Sequence, residues 1–395
     1  MALLSRAAYP LHPPGGMEKA VYHLASRLQE RGVETVLVTR PPTRGEPFPG
    51  DVVTVPYGGR AEDHGRILDR TRRYPRFSAR MGDAVAEMVK AGRVDLVDAQ
   101  GLCALGYGQR RRADPALRAP LVMNPQGLEE HQTTGLKRLA LTRLRALSRE
   151  AARLSDRVIA TDEATREDVH RLLGVEAGRV VVIPNGIEPA EVARLTPAEP
   201  AAVVHAARPA LVGASPLFLS VGRLEGYKGF GDVLEALARL HRRSALPAPW
   251  AWAVAGEGPA RRALERRART ELAGHVHFLG GVGAAMLHAL YARADVFVHA
   301  PRYEGSSLVT LEAMAHGLPV VATRAGGIPD KVRDAETGRL VAPGDVDGLA
   351  AALHDLAADP SRRREMGRRG RERAEADFAW ERIIERVLAL YRSLL

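Results

Sequence analysis

The sequence predicts an α/β protein of two successive domains, each a parallel β-sheet covered by helices on both faces. Short apolar runs alternate with amphipathic segments through both halves of the chain, which is typical of buried parallel strands joined by helices. The alternation stops once, between residues 188 and 215, where the sequence is rich in Ala and Pro. We therefore predict a first domain at residues 1–188, a linker region at 189–215, a second domain at 216–376 and a closing helix at 377–395.

The elements of the first domain follow from apolar runs for the strands and from a helical period for the helices. The predicted strands span residues 2–8, 35–39, 52–55, 94–98, 121–124, 157–160 and 180–183. The predicted helices span residues 17–31, 77–91 and 137–154. The first strand is expected almost at the initiating methionine, with no signal-peptide pattern before it.

The second domain repeats the same alternation. Its predicted strands span residues 217–221, 251–255, 276–279, 296–299 and 320–322. Its predicted helices span residues 230–241, 260–273, 284–292 and 306–316, and the closing helix has an apolar side. Ligands of open parallel sheets bind beyond the carboxyl ends of the strands, so we expect the functional residues in the loops that follow strands.

Composition narrows the class of protein. The formal net charge of +10 is compatible with anionic substrates or an anionic membrane surface. The arginine-rich stretch 361–373 has no interleaved aromatic residues, so nucleic acid is not an expected partner. A lone cysteine, Cys103, excludes an intrachain disulfide and suits a reducing compartment, and no apolar run approaches the roughly 20 residues of a membrane-spanning helix. We expect a cytoplasmic protein.

The segment 301–315 carries the strongest functional signal. Glu304 follows an apolar run, so it should lie in the loop beyond the carboxyl end of a strand, and Glu312 should lie one to two turns inside the next helix. Residues 305–307 should form the amino end of that helix, where free N–H groups and the helix dipole favour an anion. Two carboxylates beside a phosphate cradle suggest a ligand rich in hydroxyls, such as a nucleotide sugar.

Arg223 and Lys228 lie on the predicted loop between the first strand and the first helix of the second domain. Two cations five residues apart on such a loop can bracket a diphosphate and neutralise the charge of a diphosphate leaving group, a task otherwise given to a divalent metal. A solvated surface loop is the plain alternative. The two glutamates in the same domain favour the diphosphate.

Three glycine-containing loops also follow strands. The stretch 256–259 imitates a dinucleotide fingerprint, but Arg261 stands where the third glycine should be, which argues against an NAD site. The stretch 278–282 could hold a base or could be a plain tight turn. Gly15 and Gly16 could let backbone N–H groups approach a phosphate or sugar, although many such turns carry glycine for geometry alone.

No metal site is predicted. Asp345 and Asp347 imitate an Asp-x-Asp metal pair, but they precede a helical pattern and are interpreted as helix-capping residues. The histidines lack metal-ligand spacing, and His131 is interpreted as a polar surface or acceptor-side residue. The basic amphipathic stretch 137–149 leaves open either peripheral contact with anionic lipid or a solvated face packed by its leucines.

Taken together, these motifs resemble the retaining glycosyltransferases of family 4, which have the GT-B fold. The resemblance includes Arg223, Lys228 and the pair Glu304 and Glu312 in the second domain. It extends over nearly the whole chain, through the stretches 15–18, 183–187, 256–259, 325–329 and 378–391. It implies two Rossmann-like domains facing across a cleft, with the last helix crossing back onto the first domain.

The resemblance also implies roles for individual residues. Arg223 and Lys228 would bind the donor diphosphate, Glu304 would contact hydroxyls of the donor sugar, and these three would form the catalytic set. Glu312 would hydrogen-bond the nucleoside ribose, and Gly16 would approach the diphosphate. The remaining donor-side residues would be Gly15, Gly258, Leu279, Gly305, Ser306, Ser307 and Leu308.

Two departures from the family pattern concern the sugar and acceptor side. Gln126 stands before Gly127 where many members have His-Gly, and Ser306 replaces the Phe or Met that commonly follows the Glu-Gly pair. An amide at residue 126 could replace one hydrogen bond of an imidazole. Glu18, Gln126 and His131 are the expected acceptor-side or sugar-side residues, and acceptor contacts are expected in loops 41–49, 58–76 and 126–136.

The expected function is transfer of a hexose from a UDP- or GDP-sugar to an acceptor hydroxyl, forming an α-glycoside without a metal or other cofactor. The acceptor could be a sugar, a lipid-linked sugar or a small molecule, and peripheral contact with the inner membrane face stays open. A nucleotide-sugar epimerase or hydrolase on the same fold is the main alternative and would need no acceptor. An NAD-dependent oxidoreductase and a non-catalytic sugar-nucleotide sensor are the further alternatives.

Overall fold

The computed structural model describes residues 1–13, 15–58, 69–128, 131 and 139–395. These residues divide into two compact units, of which the first comprises Met1–Asn185 with Trp380–Leu395 and the second comprises Gly186–Ala379. Lys137 and Arg138 of the predicted basic helix lie outside the described residues. So do parts of two loops in which acceptor contacts were expected, at residues 59–68, 129–130 and 132–138, and so does Pro14.

The first unit contains a seven-stranded parallel sheet in the order β3-β2-β1-β4-β5-β6-β7. Its strands are β1 Ala2–Leu4, β2 Val36–Thr39, β3 Asp51–Thr54, β4 Val97–Gln100, β5 Leu121–Asn124, β6 Arg157–Ala160 and β7 Val180–Val182. Every predicted strand of this domain is present, but β1 ends at Leu4 rather than at residue 8, and β4 begins later and ends later than expected. That shift places Asp98 and Gln100, two residues apart, on one face of the sheet.

Helices cover this sheet, and two of them were not predicted. The helices are Gly16–Glu30, Tyr74–Lys90, Ala104–Ala113, Thr142–Leu154 and Glu163–Asp168, with π-helical turns at Asp69–Arg73 and Val169–Leu173 and 3-10 turns at Gly101–Cys103 and Ala177–Arg179. The helix Ala104–Ala113 was not predicted because two glycines and three consecutive arginines obscure its period. Glu163–Asp168 is too short to show a helical period.

The last helix, Trp380–Arg392, belongs to the first unit, as expected from the family resemblance. Its apolar side, with Ile383, Ile384 and Val387, is buried against the helix Gly16–Glu30 and the first sheet. Arg31 donates to Glu381 at 2.7 Å and to Glu385 at 3.1 Å along the exposed side. The two ends of the chain are therefore packed into one hydrophobic core.

The second unit contains a six-stranded parallel sheet in the order β10-β9-β8-β11-β12-β13. Its strands are β8 Leu217–Val221, β9 Ala251–Ala255, β10 Val276–Gly280, β11 Val296–His299, β12 Val320–Thr323 and β13 Gly338–Val341. Its helices are Phe230–Arg242, Arg261–Glu271, Ala284–Arg293, Leu308–Ala315, Ile328–Lys331, Val346–Ala358 and Pro360–Phe378, with a 3-10 turn at Gly226–Lys228. Strand β13 was not predicted, because it is short and carries glycine and arginine.

The expected linker at 189–215 differs from the structure. Three short helices occupy it, at Pro189–Leu195, Pro200–Ala207 and Pro209–Val212, and each begins with a proline. Their buried side chains Val192, Val204 and Leu211 pack into the core of the second unit. Each helix is too short to display a sustained period, so the sequence pattern suggested irregular chain.

No helix in the part of the chain that the structure describes is both long enough and apolar enough to span a membrane.

Candidate active site

The closest pairing of predicted site residues in the second unit joins two loops that follow neighbouring strands. Lys228 lies in the turn after β8, and Glu304 lies in the loop after β11, 76 residues further along the chain. The Lys228 ammonium donates to both carboxylate oxygens of Glu304 at 2.9 Å. Their side chains are only 16% and 10% exposed. Because β8 and β11 are adjacent and parallel, both loops open on the edge of the sheet where ligands bind.

Two glycines allow the backbone segments around this pair to approach closely. Gly229 has a φ of +73°, and a Cβ atom there would overlap the carbonyl group of Ala300. Gly326 has a φ of +50°, and a Cβ atom there would overlap the carbonyl group of Glu304. Any larger residue at either position would therefore push the Lys228 turn or the Glu304 loop out of place.

His299 completes this cluster and was not predicted as a site residue. It ends β11 with a side chain 3% exposed, and its Nε2 lies 2.5 Å from Glu304 Oε2. Burial by itself would raise the pKa of Glu304, but the hydrogen bond and charge of His299, followed by the charge and hydrogen bonds of Lys228, outweigh it and lower the pKa to about 2. Glu304 is therefore an ionised acceptor near neutral pH. The available signal was a polar residue ending an apolar strand, five positions before Glu304.

The loop after Glu304 leads into the helix Leu308–Ala315, which begins two residues later than predicted. Ser307 precedes it at a φ of +42°, and its hydroxyl lies 2.7 Å from the hydroxyl of Thr310. The Gly305 N–H donates to the Glu304 carboxylate at 3.3 Å. The buried Ser306 hydroxyl has no hydrogen-bond partner within the described residues. A buried hydroxyl without a partner at a helix amino end is suited to a polar ligand atom.

Arg223 stands apart from the Lys228 pair. Its side chain is 62% exposed and lies 3.8 Å from the Glu225 carboxylate, and its guanidinium donates to the Tyr227 hydroxyl at 3.0 Å. The Lys228 ammonium lies 5.5 Å from the centre of the same Tyr227 ring. Tyr227 thus lies between the two predicted diphosphate-binding cations, which share one loop.

Glu312 lies inside the helix, as predicted, and is held by Tyr291, which was not predicted as a site residue. The fully buried Tyr291 donates its hydroxyl to Glu312 Oε2 at 3.0 Å. His316 lies 2.7 Å through Nδ1 from the Glu312 backbone carbonyl, and its ring stacks on Tyr291 at 5.1 Å between centres. Burial, followed by the hydrogen bond and charge of Glu312, raises the pKa of Tyr291 well above its ordinary value, so the phenol stays a donor.

The remaining donor-side residues of the second unit line other loops at strand ends. Gly258 packs so closely on Leu224 that a Cβ atom would lie 2.5 Å from its carbonyl oxygen. Leu279 lies half-buried near the end of β10. Arg261, in the position of the missing fingerprint glycine, pairs with Glu257 and donates to Glu265 at 2.7 Å. Arg261 thus joins the loop residue Glu257 to the start of the helix Arg261–Glu271, and it stands where an NAD fingerprint requires glycine.

In the first unit, Gly15 and Gly16 lie at the start of the helix Gly16–Glu30, and the Glu18 side chain folds back over Gly15. A Cβ atom at Gly15 would overlap the Glu18 carboxylate. Burial raises the pKa of Glu18, and the nearby charges of Arg6 and Arg40 oppose that rise. These side chains lie near the carboxyl ends of β1 and β2, beside the switch point of the first sheet.

Gln126 and His131 lie in the segment after β5. Gln126 has a φ of +61°, its side-chain NH2 group donates to Gln100 at 2.8 Å, and its carbonyl oxygen accepts from Asn185 at 3.1 Å. The His131 backbone N–H donates to the Leu128 carbonyl at 2.9 Å. Burial, with help from Arg149 and Arg145, lowers the pKa of His131 to about 4, so its imidazole is neutral near pH 7. A neutral, partly buried imidazole does not fit a simple surface residue.

The capping interpretation of Asp345 is confirmed. Its carboxylate accepts from the Gly348 N–H at 2.8 Å at the start of the helix Val346–Ala358. Asp347 instead forms an exposed ion pair with Arg239. Within the described ranges, no three His, Cys, Asp or Glu side chains are grouped so that they could hold a metal ion.

Two family models match the chain, one in each half. The model described as Glycosyltransferase Family 4 matches residues 14–191, and the model described as Glycosyl transferases group 1 matches residues 205–373. Together they take in Gly16 and Gln126 on one side and Lys228, Glu304 and Glu312 on the other.

Known proteins agree with these models. The D-inositol 3-phosphate glycosyltransferase of Kineococcus radiotolerans is 31% identical over 99% of this chain and 94% of the relative. The glycogen synthase of Mycobacterium tuberculosis is 29% identical over 97% of this chain and 92% of its own length. Among solved structures, Anabaena HepE in complex with UDP-glucose superposes with a TM-score of 0.75 at 20% identity, over 99% of each chain. This chain therefore belongs to glycosyltransferase family 4, is a glycosyltransferase, and has the GT-B fold of two parallel-sheet domains.

Proposed function

We propose that this enzyme is a retaining hexosyltransferase that moves a sugar from a nucleotide diphosphate sugar to an acceptor hydroxyl and forms an α-glycosidic bond. The observation that carries the proposal is the buried pair of Lys228 and Glu304 at the ligand-binding edge of the second sheet. It offers a cation for the diphosphate and a carboxylate for sugar hydroxyls within 3 Å of each other, which matches the two halves of such a donor.

The surroundings of the pair support a nucleotide sugar as the donor. Glu312, fixed by Tyr291, presents a carboxylate suited to a ribose diol. The helix start at Leu308 and the buried Ser306 hydroxyl are suited to phosphate oxygens. The structural relative HepE binds UDP-glucose, so a UDP-sugar is the first donor to test and a GDP-sugar the second.

In the proposed reaction, Lys228 and Arg223 stabilise the charge that grows on the departing diphosphate. The bond between the anomeric carbon and the diphosphate oxygen breaks, and the bond to the acceptor oxygen forms on the same face. The acceptor proton passes to an oxygen of the departing diphosphate. Lys228 supplies charge that a divalent metal would otherwise supply, so we propose that no metal is required.

The acceptor side is proposed for the first unit, where Gln126 and Glu18 lie near strand ends. The proposed acceptor is a sugar, a lipid-linked sugar or a small molecule, the three classes expected from the sequence. We place the reaction in the cytoplasm, in keeping with a single buried and unpaired cysteine, and peripheral contact of the basic helix with a membrane is a further expectation.

The proposal is tested first by binding and then by transfer. A thermal-shift screen with UDP-, GDP- and ADP-sugars should show one preferred donor, because a ligand that binds only the folded state raises its apparent stability. With that donor and a panel of acceptors, NMR of the product should show an α-anomeric proton. EDTA should leave the rate unchanged. Donor alone should remain intact, whereas isomerised or free sugar without an acceptor would indicate an epimerase or a hydrolase.

A further inference from the structure

A buried chain of polar side chains runs through the first unit from the last helix to Gln126. Tyr391 donates its hydroxyl to Asp98 Oδ2 at 2.7 Å, and Gln100 donates its NH2 group to Asp98 Oδ1 at 2.9 Å. Gln126 donates to Gln100 Oε1 at 2.8 Å, and Asn185 donates to Gln126 Oε1 at 3.1 Å. We call Asp98, Gln100, Gln126 and Asn185 the amide relay. Each of its members other than Gln126 is less than 9% exposed.

The direction of the amide relay is set at its buried end. An ionised carboxylate has no proton to donate, so Gln100 must turn its NH2 group toward Asp98 and its carbonyl oxygen away. That oxygen requires the NH2 group of Gln126, whose own carbonyl oxygen then faces the NH2 group of Asn185. One charge thus decides which end of each amide faces which neighbour.

The backbone at Gln126 is held by a separate contact. Asn124 ends β5, and its side-chain oxygen accepts from the Gln126 N–H at 3.0 Å. This turn keeps Gln126 at a positive φ, which costs a residue with a side chain roughly 1 kcal/mol or more. The backbone position and the amide orientation of Gln126 are therefore fixed by different partners, Asn124 and Asp98.

We propose that Asp98 is a positioning residue that fixes the side-chain amide of Gln126 in the orientation needed to contact the sugar or acceptor. The proposal rests on the proposed transferase function, because it concerns a residue on the acceptor side of that reaction. Asp98 itself touches no substrate and acts through Gln100. Tyr391, on the last helix of the chain, supplies its second hydrogen bond.

Stability alone does not account for a carboxylate at this position. Asp98 is 1% exposed and borders a cavity of about 30 Å³ that is otherwise lined by apolar side chains and amides. Burial raises the pKa of Asp98 to about 6, although the hydrogen bonds from Tyr391 and Gln100 act to lower it. Tyr391 is the only other titratable group that borders this cavity within the described residues. An uncharged Asn of the same shape would avoid the cost of burying the charge.

Asp98→Asn is the decisive variant because it can exchange donors and acceptors along the amide relay while keeping nearly the same side-chain shape at residue 98. Tyr391 would keep an acceptor in the side-chain oxygen of the substituted residue, so the new NH2 group would face Gln100. Gln100 would have to flip, and Gln126 and Asn185 would follow. We expect kcat/KM to fall about tenfold or more, the size of one or more misdirected hydrogen bonds, with an unchanged or higher Tm at pH 8 and unchanged binding of the nucleoside diphosphate.

Two matched variants separate positioning from general stability. Asp162→Asn also converts a carboxylate that is 1% exposed in the first unit, but Asp162 caps a helix by accepting from the Thr165 N–H at 2.7 Å. It should leave Tm nearly unchanged, because the side-chain oxygen of Asn caps a helix about as well as that of Asp, and it should leave the pH profile of kcat/KM unchanged. Tyr391→Phe removes a hydrogen bond that lowers the Asp98 pKa, so it should move the acid limb of the profile upward.

The sign of the pH effect follows from the carboxylate. Above pH about 6 Asp98 is ionised and holds the relay in one direction, and below pH about 6 its protonated form can donate and that direction is lost. The wild-type kcat/KM should therefore fall as pH drops through about 6, and Asp98→Asn should lack this limb. In protein labelled with 15N-glutamine, the Gln126 side-chain signal should shift over the same pH range in the wild type alone.

The outcomes are distinguishable. If the wild type is active and Asp98→Asn has the same kcat/KM and the same pH profile, the inference is overturned. It is also overturned if Asp98→Asn loses activity only in proportion to a lower Tm. A Gln126 signal that does not respond to pH or to Asp98→Asn would overturn the relay itself, whatever the activity. A responding signal in an enzyme that transfers no sugar from any nucleotide sugar would support the relay and contradict the proposed function.

Discussion

Lys228 with Glu304 in the second unit and Gln126 in the first unit are held in place by different means. Lys228 and Glu304 are fixed by their own opposite charges, through two hydrogen bonds of 2.9 Å. Gln126 is neutral and is held by amides on both sides, with the nearest buried charge two residues away along the relay at Asp98. The charged pair can exchange partners, whereas the amide relay fixes which group of Gln126 donates a hydrogen bond and which accepts one.

This difference matters for what each region can do when a substrate arrives. In the proposed reaction, the donor diphosphate would take Lys228 from Glu304, and the freed carboxylate would accept from sugar hydroxyls. A buried ion pair is weak evidence of stabilisation, because the cost of removing both charges from water offsets their attraction. The pair therefore fits a role in binding better than a purely structural one. An amide chain has no comparable exchange, so its use is to keep one donor and one acceptor pointing in fixed directions.

The largest expected effect comes from breaking the charged pair. Lys228→Ala should lower turnover by about 10²–10³, the cost of losing one donor to a charge that develops in the transition state. The same variant should weaken binding of the nucleoside diphosphate. Steady-state kinetics with the preferred donor, and calorimetry with the diphosphate, measure the two effects.

Arg302→Ala is the matched control for Lys228→Ala. Arg302 lies in the same loop as Glu304, but its side chain is 63% exposed and its nearest ion-pair partner is Asp232 at 3.4 Å. It should change turnover less than about threefold, as exposed ion pairs contribute little. Near-normal turnover in Lys228→Ala would remove the basis for the donor site.

The second prediction uses pH to separate a buried charge from an exposed one. Glu304 and Glu365 both have a pKa lowered to about 2, but Glu304 is 10% exposed and Glu365 is 45% exposed. A carboxylate whose pKa is depressed on folding stabilises the protein above its unfolded pKa, and that stabilisation is lost as pH falls toward the folded pKa. Relative to a protonated Glu304, the ionised carboxylate should stabilise the folded state by about 3 kcal/mol, and this contribution is lost between pH about 4.5 and about 2.

Denaturant unfolding at several pH values tests this contrast. Glu304→Gln should flatten the decline of unfolding free energy below pH 4.5, because the group that titrates is gone. Glu365→Gln should leave the decline unchanged, because water screens its pairs with Arg368 and Arg369. If the two variants behave alike, the Glu304 pair is no more shielded from solvent than a surface pair.

The sequence predicted where the charged residues lie but not how they are paired. Glu304 and Glu312 could be placed on a loop and on a helix because strand and helix periods are local. The contact between Lys228 and Glu304 joins residues 76 positions apart and depends on the order of strands in the sheet, which no local pattern contains. His299 and Tyr291 were overlooked for the same reason, since each resembles an ordinary buried residue of its strand or helix.

The first unit was harder to predict from sequence. The departure at Gln126 was visible, but its positive φ and its link to Asp98 arise from β4, β5 and the last helix together. The predicted end of β4 at Asp98 left Gln100 out of the strand, and with it the face that both residues share. A shift of two residues in one strand end was enough to hide the amide relay.

Tyr291→Phe tests whether a hydrogen bond from an uncharged side chain positions a binding residue in the second unit, as we propose for Gln126 in the first unit. It removes the hydroxyl that donates to Glu312 at 3.0 Å and leaves the ring packing intact. The donor KM should rise about three- to tenfold, the value of one ordinary hydrogen bond, with kcat nearly unchanged. Removing a ribose hydroxyl from the donor should weaken binding to the wild type more than binding to Tyr291→Phe. The substitution and the change in the donor both disturb the contact between Glu312 and the ribose, so their effects should not add.

Tyr107→Phe is the control for that variant. Tyr107 is also fully buried and donates to the Ala119 carbonyl at 2.9 Å, in the first unit. It should cost stability similar to Tyr291→Phe and leave the donor KM unchanged. Equal KM changes in both variants would mean that Glu312 does not depend on Tyr291.

The smallest expected effect concerns Ser306, where the charged site contains a neutral group without a partner in the described structure. Ser306→Ala removes a buried hydroxyl that makes no hydrogen bond within the described residues, so the free energy of unfolding should stay the same or rise slightly. If the donor supplies the missing partner, the donor KM should rise about threefold. Ser307→Ala is the control, because its hydroxyl is already 2.7 Å from Thr310, and it should cost stability instead. An unchanged donor KM in Ser306→Ala would show that the Ser306 hydroxyl does not bind the donor. Donor binding near Lys228 and Glu304 would then depend on charged side chains, in contrast to the uncharged amides around Gln126.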